Sequence, residues 1–442
     1  MTAGQDRPLR VAINALLDFS KGGSNQRVVS GLVRELGRLT DGPEEYIIVC
    51  RKPEWLQSII GPNQRIVVPP EEGVFTGKRG LLKRMLSRPL TLFKGNGSAM
   101  LPRWFYTLLR WPGVPISNGF YERLRCDVIH FPYPWFVLCQ LPSVYNPHDL
   151  QYLHYPQFFD PQKIALWNNL YPSGCFFAET VVVSSEWVKQ DVVRHYNITP
   201  TKVQVIPWAT SADDYPEPTT EIILRVRKKY RLPQDFALYP AMVLEHKNHL
   251  RLLEALALVR DRHGLKINLV CTGRYGKFWK RVEERLFALR LQDQAKFLGM
   301  IPAQELRALY RLAQFVVVPS LFEASSGPVR EAWLDGAPVA CSNVTSLPVQ
   351  VQDAALLFDP FSVETIAEAI VQMVTNPDLR KFLSERGKAR LRVFDWKRTA
   401  KAYRAVYRRT ARRPLTEEDR ALLRWDWMQE ASPPAEPTQN HV

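Results

Sequence analysis

The sequence predicts an α/β protein of two successive doubly wound halves, with helices on both faces of parallel sheets. Short apolar segments alternate with segments whose apolar residues repeat at helical spacing, which is typical of such sheets. The alternation stops once, in the aperiodic stretch 208–220 (WATSADDYPEPTT), and then restarts. The 442 residues, 46% of them hydrophobic, are enough for two large domains with packed cores.

The first half opens with a predicted strand at Val11–Ala15. A loop with two glycines follows, and then a helix whose apolar residues run from Val28 to Leu39. The stretch 74–125 is irregular, basic and aromatic, and prolines break it. Further strands are predicted at 46–50, 65–68, 127–131, 143–146, 180–184 and 203–206.

The second half repeats the same alternation. Its first helix is predicted around Leu250–Val259, with Leu252, Leu256 and Val259 on one face. Strands are predicted at 236–239, 266–271, 295–298, 315–318, 338–341 and 355–358. Two such halves bind ligands in the cleft between them, near the carboxyl ends of the strands. The Pro-rich end, 431–442, is expected to be disordered.

Cysteine usage and hydropathy bear on the compartment. The six cysteines are scattered without a C-x-x-C pair, which fits a reducing environment. The N-terminal residues contain no apolar signal region, and no stretch has the roughly 18 apolar residues of a membrane span. We therefore expect a cytoplasmic protein, either soluble or peripheral at the inner face of the membrane.

The net charge of +15 is concentrated in two segments. Residues 74–125 hold ten Lys or Arg and one acid, and residues 380–413 hold fourteen against two acids. Within the first segment, Lys78–Lys94 places leucines beside basic residues. Two interpretations stay open: an amphipathic surface for anionic membrane, or a solvated helix over the first domain. Nucleic acid is not expected as a partner, because no recognised module accompanies the charge.

The most informative stretch runs from 315 to 361. An apolar strand ends at Pro319, a loop with Glu323, Ser325, Ser326 and Gly327 follows, and Pro328 is suited to the start of a helix. A second carboxylate, Glu331, is then expected in that helix's first turn. Loop N–H groups and the helix dipole favour an anion, and carboxylates accept hydrogen bonds from hydroxyls. This combination suits a sugar attached to a phosphate.

Two Glu separated by seven residues, followed by DGAPVACSNVTSLP and DAALLFDP, resemble the donor site of retaining glycosyltransferases of family 4. The resemblance implies the GT-B fold, two Rossmann-like domains facing across a cleft. It implies an acceptor-binding domain at 1–212, with a basic insert at about 74–125, and a donor-binding domain at 213–395. It also implies that residues 396–430, with the basic helix Trp396–Arg413, cross back onto the first domain.

The resemblance extends to the segment Tyr239–His249 (YPAMVLEHKNH). It follows a strand and opens a helix, with Asn248 expected at the N-cap, so Lys247 sits where phosphate is attracted. Lys247 corresponds to the family's phosphate-binding lysine. Many members carry an arginine a few residues upstream, which is absent here, and Arg274 is the candidate to supply that charge. The alternative for Arg274 is a surface residue.

Two motifs of the first domain also match. The segment starting at Asn146 (NPHDLQYLHYP) resembles the family's His-Asp motif, in which the histidine approaches the donor sugar, and this maps onto His148. His154 and His130 are interpreted as structural. The loop containing Gly22 and Gly23 matches the glycine-rich loop, where the backbone approaches a diphosphate.

We therefore expect a retaining glycosyltransferase, with GDP-mannose favoured as the nucleotide-sugar donor and a glycan or lipid-linked oligosaccharide as the acceptor. His148, Lys247 and Glu323 are the expected catalytic residues. Gly22, Gly23, Arg274, Ser325, Ser326, Gly327 and Glu331 are the expected donor-binding residues. No metal or other cofactor is expected, because Lys247 and helix dipoles can carry the charge. The alternatives are a sugar-nucleotide epimerase or hydrolase, or a non-catalytic protein that binds anionic polymers or membranes.

Overall fold

The computed structural model describes residues 7–17, 23–76, 113–210 and 216–427. The chain divides into two compact units: unit 1 is Met1–Ile206 with Lys397–Trp425, and unit 2 is Pro207–Trp396 with Asp426–Val442. Gly22, the basic segment Lys78–Lys94 and the tail 431–442 lie outside the described residues. Among the residues that are described, no helix is both long and apolar enough to span a bilayer.

Unit 1 is built on a seven-stranded parallel sheet. Its strands are β1 (Arg10–Asn14), β2 (Glu45–Val49), β3 (Gln64–Val67), β6 (Val128–Phe131), β7 (Ser143–Tyr145), β8 (Thr180–Val183) and β9 (Val203–Val205), and a small antiparallel pair is β4 (Phe75–Thr76) with β5 (Ile116–Ser117). The helices are α1 (Ser24–Arg38), α2 (Phe120–Arg123), α3 (Gln151–His154), α4 (Pro161–Phe177) and α5 (Glu186–Tyr196).

The strand order of unit 1 is β3-β2-β1-β6-β7-β8-β9. The chain moves outward from β1 to β3 and then returns to place β6 on the other side of β1. Strands β6, β7 and β8 are buried at every position, as a parallel sheet covered on both faces requires. In a sheet of this kind the loops at the reversal point, after β1 and β6, are the usual place for a ligand.

A series of buried hydrogen bonds joins the sheet of unit 1 to a helix near the end of the sequence. With helices numbered in chain order, this is α14 (Trp396–Thr410). His130 Nε2 lies 2.8 Å from Asn146 Oδ1, and Asn146 Nδ2 donates to Tyr403 Oη at 2.6 Å. Tyr407 Oη lies 2.8 Å from His130 Nδ1. These hydrogen bonds can all form at once when His130 is neutral with its proton on Nε2. Burial lowers the pKa of His130 to about 3, which keeps the ring neutral.

Part of the C-terminal basic run is neutralised inside unit 1. Arg404 is paired with Asp41, and Arg408 lies 2.7 Å from Glu44 and 2.8 Å from Asp419. Asp419 belongs to the last helix, α15 (Glu417–Arg424), which starts with a capping box. These guanidinium groups therefore stabilise the fold and are not available to bind an anionic membrane or polymer.

Unit 2 carries a six-stranded parallel sheet in the order β12-β11-β10-β13-β14-β15. Its strands are β10 (Ala237–Pro240), β11 (Leu269–Thr272), β12 (Ala295–Phe297), β13 (Phe315–Val318), β14 (Val339–Ser342) and β15 (Leu356–Phe358). The helices are α6 (Thr220–Lys229), α7 (His249–His263), α8 (Trp279–Ala288), α9 (Ala303–Leu312), α10 (Gly327–Leu334), α11 (Leu347–Val351), α12 (Val363–Thr375) and α13 (Pro377–Leu391).

The predicted fold class is confirmed in both units. Every strand predicted from an apolar segment overlaps an observed strand, and the ends differ by at most a few residues. The order of the strands was not predicted. In unit 2 it puts β10 beside β13, so the segments that follow these two strands meet at the reversal point of the sheet.

Candidate functional site

A side-chain bond fixes the segment after β10, and a backbone bond ties that segment to the one after β13. Tyr239 of β10 donates its hydroxyl proton to the Lys247 carbonyl at 2.7 Å, which fixes the backbone at the lysine. The Leu321 N–H donates to the His246 carbonyl at 2.8 Å. Residues Glu245–Lys247 form one turn of 3-10 helix between the strand and α7. Lys247 is thereby presented at the carboxyl edge of the sheet.

Asn248 is the N-cap residue of α7, as expected, but it does not cap the helix with its side chain. Its backbone is left-handed, with φ of 60°. Its Nδ2 donates instead to the carbonyls of Pro319 and Pro360, at 3.0 and 2.8 Å. The asparagine therefore joins three loops at the edge of the sheet, which the capping prediction did not foresee.

The two predicted charged residues of this site touch each other. Nζ of Lys247 donates to Oε1 of Glu323 at 2.6 Å, and the exposed fractions of the two side chains are 20% and 9%. Lys247 is thus half-buried and Glu323 is buried. The lysine ammonium therefore has a carboxylate beside it, and the lysine side chain keeps a fraction of its surface exposed.

The loop that carries Glu323 is fixed by two hydroxyl residues of the turn after β14. Thr345 Oγ1 accepts from the Glu323 N–H at 3.0 Å and lies 2.7 Å from its carbonyl. Ser346 Oγ lies 2.6 Å from the carbonyls of Glu323 and Ala324. Neither hydroxyl was assigned a role from the sequence, although both belong to the segment VTSLP that carried the resemblance.

The residues before α10 are held by polar side chains as well. Gln350 clamps Ser326 from both sides: its Oε1 accepts from the Ser326 N–H at 2.8 Å, and its Nε2 donates to the Ser326 carbonyl at 3.0 Å. Arg330 donates to the Ser325 hydroxyl at 2.6 Å. The buried Ser326 hydroxyl has no hydrogen-bond partner among the described residues. The loop is therefore rigid and contains one hydroxyl whose bonding capacity is unused.

Helix α10 begins at Gly327, one residue before the proline, and has no acidic residue in its first turn. The prediction that Glu331 lies in that turn was wrong, because Gly327 already has helical geometry. Glu331 is buried at 7% exposure, and its Oε2 accepts the hydroxyl proton of Tyr310 at 2.8 Å. Tyr310, from α9, was not foreseen, since nothing near it in the sequence marks it as polar-facing.

Arg274 lies in a loop, 273–276, that packs on the segment before Lys247. Its carbonyl accepts from the Val243 N–H at 3.0 Å, while its side chain is exposed. Gly273 has φ of +128°, and a Cβ there would lie 2.4 Å from the Ala241 carbonyl oxygen. The structure therefore brings the backbone of Arg274 next to the lysine segment, and only a glycine allows the approach.

In unit 1, His148 follows β7 and adopts a left-handed backbone with φ of 67°. Its Nε2 lies 2.9 Å from the Pro132 carbonyl, which can only accept, so Nε2 carries the proton. Burial lowers the pKa of His148 to about 4, and the imidazole is neutral near neutral pH. Asp149, the next residue, accepts from the Gln151 N–H at 2.9 Å, at the start of α3.

Gly23 precedes α1 with φ of +132°, a conformation that L side chains rarely adopt, and it is exposed. This geometry is the one expected of a glycine-rich loop after the first strand. Its neighbour Gly22 lies outside the described residues. The predicted site residues thus fall into two groups, a connected cluster in unit 2 and a pair, Gly23 and His148, in unit 1.

Two family models match the chain. The model described as glycosyl transferases group 1 matches residues 223–390, and the one described as Glycosyltransferase Family 4 matches residues 89–214. The first range contains the whole unit 2 cluster, and the second contains His148. The two ranges together cover well over half of the 442 residues.

Curated relatives are similar over part of their length. O-antigen chain mannosyltransferase B of Escherichia coli is 29% identical over 268 residues, 59% of this chain and 69% of that protein. D-inositol 3-phosphate glycosyltransferase of Corynebacterium glutamicum is 26% identical, over 52% of this chain and 57% of that protein. Serotype-specific mannosyltransferase WbdA of Escherichia coli is 27% identical, and the match spans 60% of this chain but only 32% of that protein.

Solved structures share the fold at low sequence identity. Sucrose-phosphate synthase from Thermosynechococcus elongatus superposes with a TM-score of 0.63 at 20% identity, covering 91% of this chain and 98% of that one. HepE from Anabaena, solved in complex with UDP and glucose, gives a TM-score of 0.63 at 14% identity, covering 90% and 99%. At such identities the likeness concerns the fold alone.

Proposed function

Because the chain belongs to the group 1 glycosyltransferases of family 4 and has their GT-B fold, we propose that it transfers a mannosyl group from GDP-mannose to a hydroxyl of a growing glycan or lipid-linked oligosaccharide. The observation that carries the proposal is the Lys247–Glu323 pair at the carboxyl edge of the unit 2 sheet. A cation and a carboxylate held side by side match the two ends of a sugar diphosphate.

Lys247 binds the diphosphate. Its backbone is fixed by the Tyr239 bond to its carbonyl, and its ammonium is held by Glu323. As the bond from the anomeric carbon to the phosphate oxygen breaks, negative charge grows on the leaving diphosphate. A preorganised lysine stabilises that charge more in the transition state than in the ground state.

Glu323 and the loop 325–327 hold the sugar. The Glu323 carboxylate accepts hydrogen bonds from sugar hydroxyls, and the unused Ser326 hydroxyl lies in the same loop. The transferring carbon acquires oxocarbenium character, and a nearby carboxylate stabilises positive charge there. Thr345 and Ser346 keep the loop in place, so Glu323 does not have to be ordered by the substrate.

Glu331 binds the ribose hydroxyls of the nucleotide. Its Oε2 accepts from Tyr310, which fixes the position of the carboxylate. Arg274 is assigned a supporting role on the diphosphate, in keeping with its place beside the lysine segment. In this scheme the cation at the diphosphate is Lys247, so the transfer needs no magnesium.

His148 and Gly23 are assigned to the same reaction from unit 1. The His148 imidazole, neutral with its proton on Nε2, is assigned to the donor sugar as the family's histidine is. Space beside the Gly23 backbone suits a phosphate oxygen, since no atom of the described residues lies within 4 Å of the position of a Cβ. Retention of configuration follows the family and is part of the proposal.

The choice of mannose is supported by the names of the relatives. Two of them, both from Escherichia coli, are named O-antigen chain mannosyltransferase B and serotype-specific mannosyltransferase WbdA. WaaG, described as a glycosyltransferase involved in lipopolysaccharide biosynthesis, shares the fold with a TM-score of 0.60. We therefore place the reaction in the synthesis of a surface polysaccharide, on an acceptor that ends in a sugar hydroxyl.

A thermal-shift screen tests the donor. We expect GDP-mannose and GDP to raise the Tm of the full chain, and UDP-glucose and UDP to leave it unchanged. The Glu331→Ala variant should lose the response, while Glu368→Gln, an exposed residue of the same unit, should keep it. A response to uridine nucleotides alone would reject GDP-mannose, and no response to any nucleotide would reject the donor site.

Turnover then separates transfer from other chemistry. GDP release should require a mannose-terminated oligosaccharide acceptor, and NMR of the product should show the α configuration of the donor. Activity should persist in EDTA without magnesium. Free mannose or an epimerised donor formed at the same rate without acceptor would favour a hydrolase or an epimerase instead.

A further inference from the structure

Three metal-ligating side chains that the transfer reaction does not use meet in unit 1. They are His154, at the end of α3, and Asp191 and His195, one turn apart on α5. His154 Nε2 lies 2.8 and 2.9 Å from the two carboxylate oxygens of Asp191. His195 Nδ1 lies 3.0 Å from Asp191 Oδ1. All three ligand atoms lie within 4.8 Å of one another.

The cluster combines a buried carboxylate with two partly exposed imidazoles. The Asp191 side chain is 5% exposed, whereas the two imidazoles are 30% and 33% exposed. Helix α5 is fixed at its start by the Ser185 cap on the Val188 N–H. The His154 ring packs on Trp187, with a centroid distance of 5.5 Å. The carboxylate is thus held rigidly, and solvent reaches the cluster from the side of the histidines.

If only hydrogen bonds hold the cluster, two imidazole protons must converge on one carboxylate. A carboxylate only accepts, so both imidazole nitrogens must carry protons that point at Asp191. His195 Nδ1 also lies 2.9 Å from the Asp191 carbonyl, and therefore shares its proton between two oxygens of the same residue. A divalent cation would replace these protons with a single ion that all three side chains can bind.

We propose that His154, Asp191 and His195 form a binding site for a divalent transition-metal ion, with Zn²⁺ as the expected occupant. Two imidazoles and one carboxylate are a ligand set for zinc and its neighbours, whereas Mg²⁺ and Ca²⁺ prefer oxygen ligands. Zinc bond lengths place tetrahedral ligands about 3.3 Å apart. The two histidine–aspartate spacings, 2.8 and 3.0 Å, need only a small opening, and all three ligand atoms already lie within 4.8 Å of one another. Water completes the shell on the exposed side.

Such a site would fasten α3 to α5. Residue 154 is six positions after His148, and α3 begins at Gln151. An ion held by His154 and the α5 pair therefore restrains the segment that follows the His-Asp motif. The site belongs to unit 1 and its role is structural, so the proposal does not depend on the donor or on the chemistry of transfer.

Zinc titration of the untagged, EDTA-treated full chain, in competition with a chromogenic chelator, tests the proposal. We expect one tightly bound Zn²⁺ per chain. The variants His154→Ala and His195→Ala should each weaken binding by at least about 100-fold, because a three-ligand site loses a ligand. His263→Ala, which removes an exposed histidine of unit 2, should bind as the wild type does.

Two further measurements keep the test decisive. Circular dichroism and the Tm of each metal-free variant report whether it is folded. Saturating Zn²⁺, about 100 times the Kd, should raise the wild-type Tm by about 5 °C or more and should not raise that of the folded variants. Cobalt should give the absorption of a tetrahedral site in the wild type. Absence of tight binding, or equal binding in His154→Ala, would overturn the proposal.

Discussion

Nζ of Lys247 lies 2.6 Å from Oε1 of Glu323, although 76 residues separate the two in sequence. The contact exists because β10 and β13 are neighbours in the sheet, so the loops that follow them share one edge. Without a donor, each residue neutralises the other. In the proposed reaction a bound diphosphate competes with Glu323 for the same ammonium, so we expect the pair to affect both donor affinity and turnover.

Removing the cation tests the assignment of Lys247 most directly. We expect Lys247→Ala to lower kcat/KM by about 100- to 1000-fold, the usual loss when one charge-stabilising donor is removed. Lys266→Ala, an exposed lysine of the same unit, is the matched control and should retain wild-type kinetics. Near-normal turnover of Lys247→Ala would remove the lysine from the mechanism.

Removing the carboxylate charge should act in opposite directions on binding and on turnover. Glu323→Gln keeps the shape of the side chain but releases Lys247 from the ion pair, and even a solvated ion pair is worth up to about 1 kcal/mol. We expect GDP to bind about fivefold more tightly by calorimetry, while kcat falls at least tenfold because the sugar loses its carboxylate. Weaker GDP binding in Glu323→Gln would mean that the pair does not compete with the diphosphate.

The sequence predicted the positions of these residues along the chain better than their partners. Apolar segments mark the parallel strands, and polar residues that follow a strand fall at the edge where ligands bind. Lys247, Glu323 and Glu331 could be found in this way. Strand order depends on long-range packing that no local pattern encodes, so the contact between Lys247 and Glu323 could not be derived.

The residues that support the site were missed for the same reason. Tyr310 and Gln350 lie on helices whose faces are set by the sheet, and a tyrosine at helical spacing is indistinguishable from an ordinary core residue. Asn248 was predicted from a local capping rule, but two carbonyls from other loops use its amide instead. Local rules fail where a distant segment offers a stronger partner.

Tyr310 is predicted to position Glu331. Tyr310→Phe removes only the hydroxyl that donates to Glu331 Oε2, which leaves the carboxylate free to turn. We expect the KM for the donor to rise about five- to tenfold with little change in kcat, because ribose binding is uniform between ground and transition states.

Tyr230→Phe provides the control for this variant. It loses the same kind of bond, from Tyr230 Oη to Glu305 at 2.5 Å, elsewhere in unit 2. The KM of Tyr230→Phe should not move, although its Tm falls slightly. Equal KM values for both variants and the wild type would limit Tyr310 to a role in stability.

Gly273 is predicted to be irreplaceable for the fold of the Arg274 loop. A Cβ at Gly273 would lie 2.4 Å from the Ala241 carbonyl oxygen, and the residue has φ of +128°. Gly273→Ala should therefore lower the free energy of unfolding by about 3 kcal/mol or more, since both strain and a backbone clash arise.

Gly264→Ala is the matched comparison. Gly264 also has a positive φ, +65°, but within the described part of the chain no atom lies within 4 Å of its Cβ position. We expect a loss of only about 1 kcal/mol, from the left-handed backbone alone. Denaturant unfolding of both variants measures the difference, and similar losses would show that the close approach of the 241–243 backbone contributes nothing.

Buried neutral histidines should make the protein sensitive to mild acid. Burial lowers the pKa of His148 to about 4, and it lowers the pKa values of His246 and His249 to about 3. In the unfolded chain the pKa of each of these histidines is about 6.5. Below about pH 6.5 the unfolded chain binds protons at these histidines and the native chain does not. The free energy of unfolding therefore falls, as the pH is lowered, by up to about 1.4 kcal/mol per pH unit for each group. Above about pH 6.5 their contribution is constant.

His249 allows this dependence to be dissected. Its ring packs 4.8 Å from Tyr239 and 6.1 Å from Phe297, and neither nitrogen has a hydrogen-bond partner among the described residues. His249→Phe keeps an aromatic ring and removes one titrating group. The Tm should therefore be maintained or raised at about pH 7 and should fall less steeply between about pH 6.5 and 5. His263→Ala, at an exposed position, should keep the wild-type slope, and an unchanged slope in His249→Phe would mean that this histidine is protonated in the native state.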